Sequence, residues 1–181
     1  MSTLRNTHFE AVGSYLRPAA LKEARARFAA GEISTETLRE VEDREIADVV
    51  AKQKACGLHY ITDGEFRRSY WHLDFMWGLN GVEHIELDHG YQFHGEETTH
   101  GSLRLTGRIS GENHPFIQDF LYVKQFEEDG VETKLTIPAP AQFLAELFRG
   151  DNTRNTREYY PNTEELLQDI AAAYRTFFHE V

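Results

Sequence analysis

Apolar residues recur along this chain with two periods, and the changes between them predict its elements. Leu21, Ala24 and Phe28 follow Pro18 at helical spacing and stop before Gly31, which predicts a helix opened by proline and closed by glycine. A second helix is marked more strongly: Leu38, Val41, Ile46, Val49 and Val50 trace one stripe behind Ser34 or Thr35 as cap. Gly57 supplies a left-handed closing residue, and Leu58 can fold back on the last turn. Phe9, Ala11 and Val12 read as a strand running into Gly13-Ser14, and Leu58 to Thr62 as a second strand stopping at Asp63-Gly64. Helix followed at once by strand is the rhythm of an α/β protein with parallel strands.

Residues 70–112 break that rhythm. An aromatic block, Tyr70 to Trp77, precedes alternating segments around Val82-Ile85-Leu87 and Leu103-Leu105-Ile109, with glycines between them. This predicts an inserted β-hairpin or small meander. Pro115 then opens a helix through Phe116, Phe120 and Val123. Lys134 to Ile137 reads as a third core strand, ending at Pro138-Ala139-Pro140, and a short helix runs from Phe143 to Phe148. In the last element Asn162 and Glu165 form a start resembling a capping box. Leu166, Leu167, Ile170, Tyr174, Phe177, Phe178 and Val181 then keep helical spacing to the final residue, the appearance of a cut chain.

Composition narrows the class. A chain of 181 residues suits one domain with a real core. Its 30 acidic residues against 19 Lys and Arg give a net charge of −11, which disfavours nucleic acid as a partner. No apolar run suggests a leader or a membrane span, so a soluble cytoplasmic protein is the expectation. The one cysteine, Cys56, excludes an internal disulfide and a four-thiolate site, and reads as an inert, partly buried thiol.

The chemistry concentrates at two strand ends, because loops after the strands of an α/β barrel converge on one face. Gly13 and Ser14, small and with free amides, suit a carboxylate; Glu65, in Asp63-Gly64-Glu65-Phe66-Arg67-Arg68, suits an ammonium group. Together they could clamp an amino acid. Equally, Gly13-Ser14 could be a plain turn and Glu65 a partner of Arg67 or Arg68. Trp71 could line a pocket and Trp77 the core. His72 with Asp74, and His84, His89, His94 and His100, lack the spacing of a metal site. No phosphate-binding glycine loop and no nucleophile elbow is present.

Val12-Gly13-Ser14-Tyr15-Leu16-Arg17-Pro18, together with Thr62-Asp63-Gly64-Glu65-Phe66-Arg67-Arg68-Ser69-Tyr70-Trp71-His72-Leu73-Asp74-Phe75, resembles the cobalamin-independent methionine synthase family. The likeness is greatest to short bacterial single-barrel relatives and extends over nearly the whole chain. It implies the N-terminal part of a (β/α)8 barrel, here incomplete. It also implies methyl transfer from a methyl-folate-type donor to the thiol of homocysteine, giving methionine. On that likeness Val12, Gly13, Ser14 and Glu65 match the amino-acid site, with Arg68, Trp71 and His72 as further substrate-binding candidates. The family's zinc, held by His, Cys, Glu and Cys, would keep the thiol as thiolate, and those ligands have no counterpart here. The chain by itself is therefore expected to carry no catalytic residue. Another thiol or alkyl donor, or a non-catalytic binding role, are the alternatives. Uncovered strand edges would call for a homodimer or a complementary half.

Overall fold

The structure is a computed structural model that describes residues 10–88, 92–93, 96–97 and 100–181. The elements run α1 (Ala19–Ala29), α2 (Thr35–Ala55), β1 (Tyr60–Ile61), α3 (Leu73–Trp77) and β2 (Asn80–Glu86). Then follow β3 (Gln92–Phe93), β4 (Glu96–Glu97), β5 (Gly101–Ser110) and α4 (Pro115–Lys124). The chain continues through β6 (Glu132–Thr133), α5 (Pro140–Leu147), α6 (Asn152–Tyr159) and α7 (Thr163–Glu180). Two compact units result: residues up to Ser69 with Gln118–Thr136, and Tyr70–Ile117 with Ile137–Val181.

In the first unit the helix signals acted as expected. Ser34 Oγ accepts the Thr37 N–H and caps α2. Gly57, at φ +76°, closes the helix: its N–H donates to Lys54 O, and Leu58 N–H donates to Gln53 O. Cys56 is exposed rather than partly buried, because it lies just past the turn of α2 that packs inward. Leu21, Ile46, Val49, Val50, Ile61, Phe66 and Val123 form the core, with Tyr15 and Tyr122 packed against it.

The strands are shorter than the apolar runs that predicted them. β1 and β6 pair in parallel, with Tyr60 opposite Glu132 and Ile61 opposite Thr133. β1 stops at Ile61 because a side chain replaces the next ladder partner. Gln53 Oε1 accepts the Thr62 N–H at 3.0 Å, and its Nε2 donates to Thr62 O at 2.8 Å. The expected strand at 134–137 lies instead at 132–133; only Lys134 N–H extends the ladder, to Ile61 O. Ala11 and Val12 form no strand, since one backbone bond, Tyr15 N–H to Gly64 O, ties this segment and one bond makes no ladder. Phe9 lies outside the described residues.

In the second unit β2 and β5 pair antiparallel from Val82–Leu105 to Glu86–Gly101, with a register shift between Asn80 and Val82. Gly81 occupies that bulge at φ +78°, where a Cβ would lie 2.3 Å from Arg108 O, so only glycine fits. β3 and β4 pair in the same sense, Gln92 opposite Glu97. Phe75, fully buried, is the hub of an aromatic core with His114, Phe116, Tyr174 and Phe177.

α6 escaped the sequence reading because it has no apolar stripe. Its buried residues are polar and satisfied: Asn152 donates to Ser102 Oγ and Glu146 O, and Thr156 to Leu147 O. At α7, Asn162 accepts the Glu164 N–H, but Glu165 does not complete a capping box; it pairs with Arg108 at 3.1 Å. Ala173 takes a place in the buried stripe, while Leu167 and Phe178 face solvent.

Tyr160 shows how this unit is pinned. Its hydroxyl accepts the Ile109 N–H at 2.7 Å and donates to Asp169 at 2.7 Å; Asp169 in turn accepts from Arg108 Nε at 2.9 Å. Burial is the main cause that pushes the phenol from 10.0 up to about 12. The folded state therefore keeps this proton after the unfolded chain has lost it. The stability it contributes is complete below the unfolded value of 10.0 and falls as pH rises through about 12. Tyr160→Phe should remove that part of the alkaline slope. It should also cost about 1–2 kcal/mol at neutral pH by orphaning the Ile109 N–H. Urea unfolding across this pH range checks both.

Candidate functional site

The loop after β1 builds the site from local bonds. Thr62 Oγ1 accepts the Gly64 N–H at 3.1 Å, and Asp63 Oδ1 accepts the Glu65 N–H at 2.9 Å. These two turns bend the chain so sharply that Glu65 takes φ +59°, a left-handed conformation that costs a residue carrying a Cβ about 1–2 kcal/mol. Such strain persists only where surrounding bonds over-determine it.

Those bonds are present. Ser14 Oγ donates to Glu65 Oε2 at 2.5 Å, and Thr136 Oγ1 donates to Oε1 at 3.0 Å. Arg68 Nη1 lies 3.5 Å from the same Oε1 and donates to Thr136 Oγ1 at 3.4 Å. Arg17 donates to the carbonyls of Glu65 and Arg68, and Arg25 to those of Phe66 and Arg68. Glu65 and Arg68 are both nearly inaccessible, at 4% and 3% exposure. Val12, Gly13 and Ser14, with Ala11 and Tyr15, line a small hollow of about 120 Å³.

Behind the loop an ion network fixes its orientation. Arg67 pairs with Glu42 at 3.1 Å and with Asp43 at 2.5 Å, and its guanidinium lies over the Tyr122 ring. Arg25 reaches Glu42 at 3.4 Å, and Arg39 reaches Asp119 at 2.7 Å. Burial raises the Asp63 carboxyl above its ordinary value, with the Arg68 charge opposing the shift. Burial likewise raises Glu42, opposed by Arg67 and Arg25. Both acids are held by neighbouring cations in the interior, where leaving either charge alone would be expensive.

The structure thus brings Ser14, Glu65 and Arg68 together. Glu65 pairs with Arg68 rather than with Arg67, and it meets the Gly13-Ser14 turn through Ser14. Sequence reasoning missed Thr136, whose signal was a lone hydroxyl in an apolar run, and Asp63, readable as a turn-forming side chain two residues before Glu65.

Trp71 and His72 belong to the second unit. Trp71 is half exposed, and His72 Nε2 faces the buried Glu146 at 3.7 Å. Trp77 donates its indole N–H to Ser102 O and stacks on His84. His84 binds Glu86, and His100 meets Leu87 O. Asp74 accepts the Tyr70 N–H. His89 and His94 lie outside the described residues. Among the described residues, no three of His, Cys, Asp and Glu are grouped so as to hold a metal ion. No helix among them is long and apolar enough to cross a membrane.

Residues 7–100, which contain both the Gly13-Ser14 turn and Glu65, match the family described as the catalytic domain of cobalamin-independent synthase. The chain belongs to that family. Two Bacillus subtilis relatives, the uncharacterised proteins YxjH and YxjG, are 42% and 40% identical over 91% of this chain. The methionine synthase of Sulfurisphaera tokodaii is 27% identical over 88% of the chain. Among solved structures, the chain is similar to a candidate vitamin-B12-independent methionine synthase of Listeria monocytogenes. There the TM-score is 0.74 with 37% identity, covering 99% of this chain. The α/β fold is therefore the one found in that group. The chain spans 42% of the length of the two Bacillus relatives and 50% of the Listeria chain.

Proposed function

We propose that this member of the cobalamin-independent synthase family forms the N-terminal part of a (β/α)8 methyltransferase barrel, with residues 70–112 inserted. In this reading it holds the amino-acid end of homocysteine, or of the product methionine, while a methyl group passes from a methyl-folate-type donor to the thiol. The observation that carries the reading is the 2.5 Å contact of Ser14 with Glu65, which sets a carboxylate beside the Gly13-Ser14 turn. Glu65 would meet the ammonium group and the backbone amides at 13–14 the carboxylate. Arg68 and Thr136 hold the Glu65 side chain in place. A carboxylate opposite the ammonium group and N–H donors opposite the carboxylate would give orientation as well as affinity.

The zinc implied by the family finds no fitting donor set among the described residues, so no step is assigned through it. The reading keeps a cytoplasmic setting and no nucleic-acid partner. It adds a second copy or a complementary half as cover for the edges of the two-stranded β1–β6 sheet.

Calorimetric titration of this chain with L-methionine tests the proposal. Saturable binding is expected, and about tenfold weaker binding of 4-(methylthio)butanoate, which lacks the amine. Equal affinity for the two ligands, or none for L-methionine, would overturn it.

A further inference from the structure

Arg17 lies three residues beyond Ser14, and the amino-acid clamp described above leaves it without a role. Its Nη2 donates to Glu65 O at 3.0 Å and to Arg68 O at 2.7 Å. Together with Ser14 on the Glu65 carboxylate and Tyr15 N–H on Gly64 O at 3.1 Å, this joins segment 14–17 to loop 64–68 at three successive levels. Burial contributes little to that junction. Val12 and Leu16 are 79% and 97% exposed, and only Tyr15 packs against the core. Polar bonds must therefore hold the segment, and a guanidinium reaching two carbonyls makes two of them.

The two acceptors also bracket the strained residue. Glu65 O and Arg68 O lie at the two ends of the turn that follows the left-handed Glu65, and Arg68 N–H itself donates to Glu65 O. A cation fixed between these carbonyls resists the peptide rotation that would return Glu65 to ordinary backbone space. Arg25 grips Phe66 O and Arg68 O from α1, but Arg17 alone sits on the same segment as Ser14.

We propose that Arg17 is a positioning residue of the amino-acid site, locking the Glu65 turn against the Gly13-Ser14 segment so that the carboxylate faces the ligand's amine. The inference rests on the amino-acid reading of the site. Arg17 would touch no ligand atom; it acts through Glu65.

Arg17→Met, Arg17→Lys, Glu65→Gln and the Arg17→Met/Glu65→Gln double variant would be titrated with L-methionine and with 4-(methylthio)butanoate. Amide hydrogen exchange at Phe66 and Arg68 would be followed without ligand. Arg17→Met should weaken L-methionine about tenfold and leave the amine-free ligand unchanged. It should add nothing in the Glu65→Gln background. Lysine should restore part of the loss, and exchange at the two amides should quicken about tenfold in Arg17→Met. Equal weakening of both ligands, full additivity with Glu65→Gln, or unchanged exchange would each overturn the assignment. If the unaltered chain does not distinguish the two ligands, the amino-acid reading fails. The exchange rates then decide alone whether Arg17 holds the turn.

Discussion

Glu65→Gln should weaken L-methionine binding to this chain by about 10- to 100-fold, the span expected when a charge-assisted hydrogen bond is lost. Glutamine keeps the length and shape of the side chain and the same left-handed backbone, so the strain at position 65 is unchanged. Its amide can still accept from Ser14 or Thr136. What it removes is the negative charge facing the ammonium group. The amine-free analogue, 4-(methylthio)butanoate, should lose little, and the ratio of the two affinities isolates the charge effect from any general loosening. Glu65→Gln also leaves the buried Arg68 facing a neutral partner, so some loss of stability should accompany it. Thermal unfolding of the same sample measures that part. Unchanged L-methionine affinity would remove Glu65 from the site.

Phe75→Ala should cost about 3–5 kcal/mol, the range for emptying a fully buried aromatic site. The ring stacks on His114 at 4.5 Å and meets Tyr174 and Phe177 at 5.2 Å each and Phe116 at 5.7 Å. These neighbours cannot collapse freely into the space. His114 is held by both ring nitrogens: Nδ1 accepts the Phe116 N–H, so the proton sits on Nε2, which donates to Phe75 O. Gly78 closes another side, where even a Cβ would come within 2.5 Å of that ring. A loss of this size is a large share of a typical domain's stability. Both tryptophans of the chain, Trp71 and Trp77, lie in the second unit, so their fluorescence in urea reports this unit's unfolding. Phe75→Leu should cost much less, and a loss below about 1 kcal/mol for the alanine variant would show that the site repacks.

The helices and their ends were legible because their causes are local. Ser34 as a cap, Gly57 as a left-handed stop and the apolar stripe of α2 depend on residues within one or two turns. The same holds for the loop at 62–65, where Thr62 and Asp63 bond to amides two residues on. Resemblance of the two motifs also sufficed to identify the family of the chain, as the match over residues 7–100 bears out.

Tertiary structure decided the rest, since it turns on partners far apart in sequence. The length of β1 depends on whether Gln53 or another strand meets Thr62, and no period in the sequence records that choice. α6 has polar residues whose burial makes sense only once Ser102, Leu105 and Glu146 are beside them. Glu165 had a plausible local partner in Asn162 and took Arg108, 57 residues away, instead. The site follows the same rule. Sequence supplied a carboxylate and a small-residue turn, but their contact depends on bonds from Arg17, Arg25 and Thr136. A strained backbone holds its shape only where such distant donors converge on it, and convergence in space is what a linear pattern does not encode.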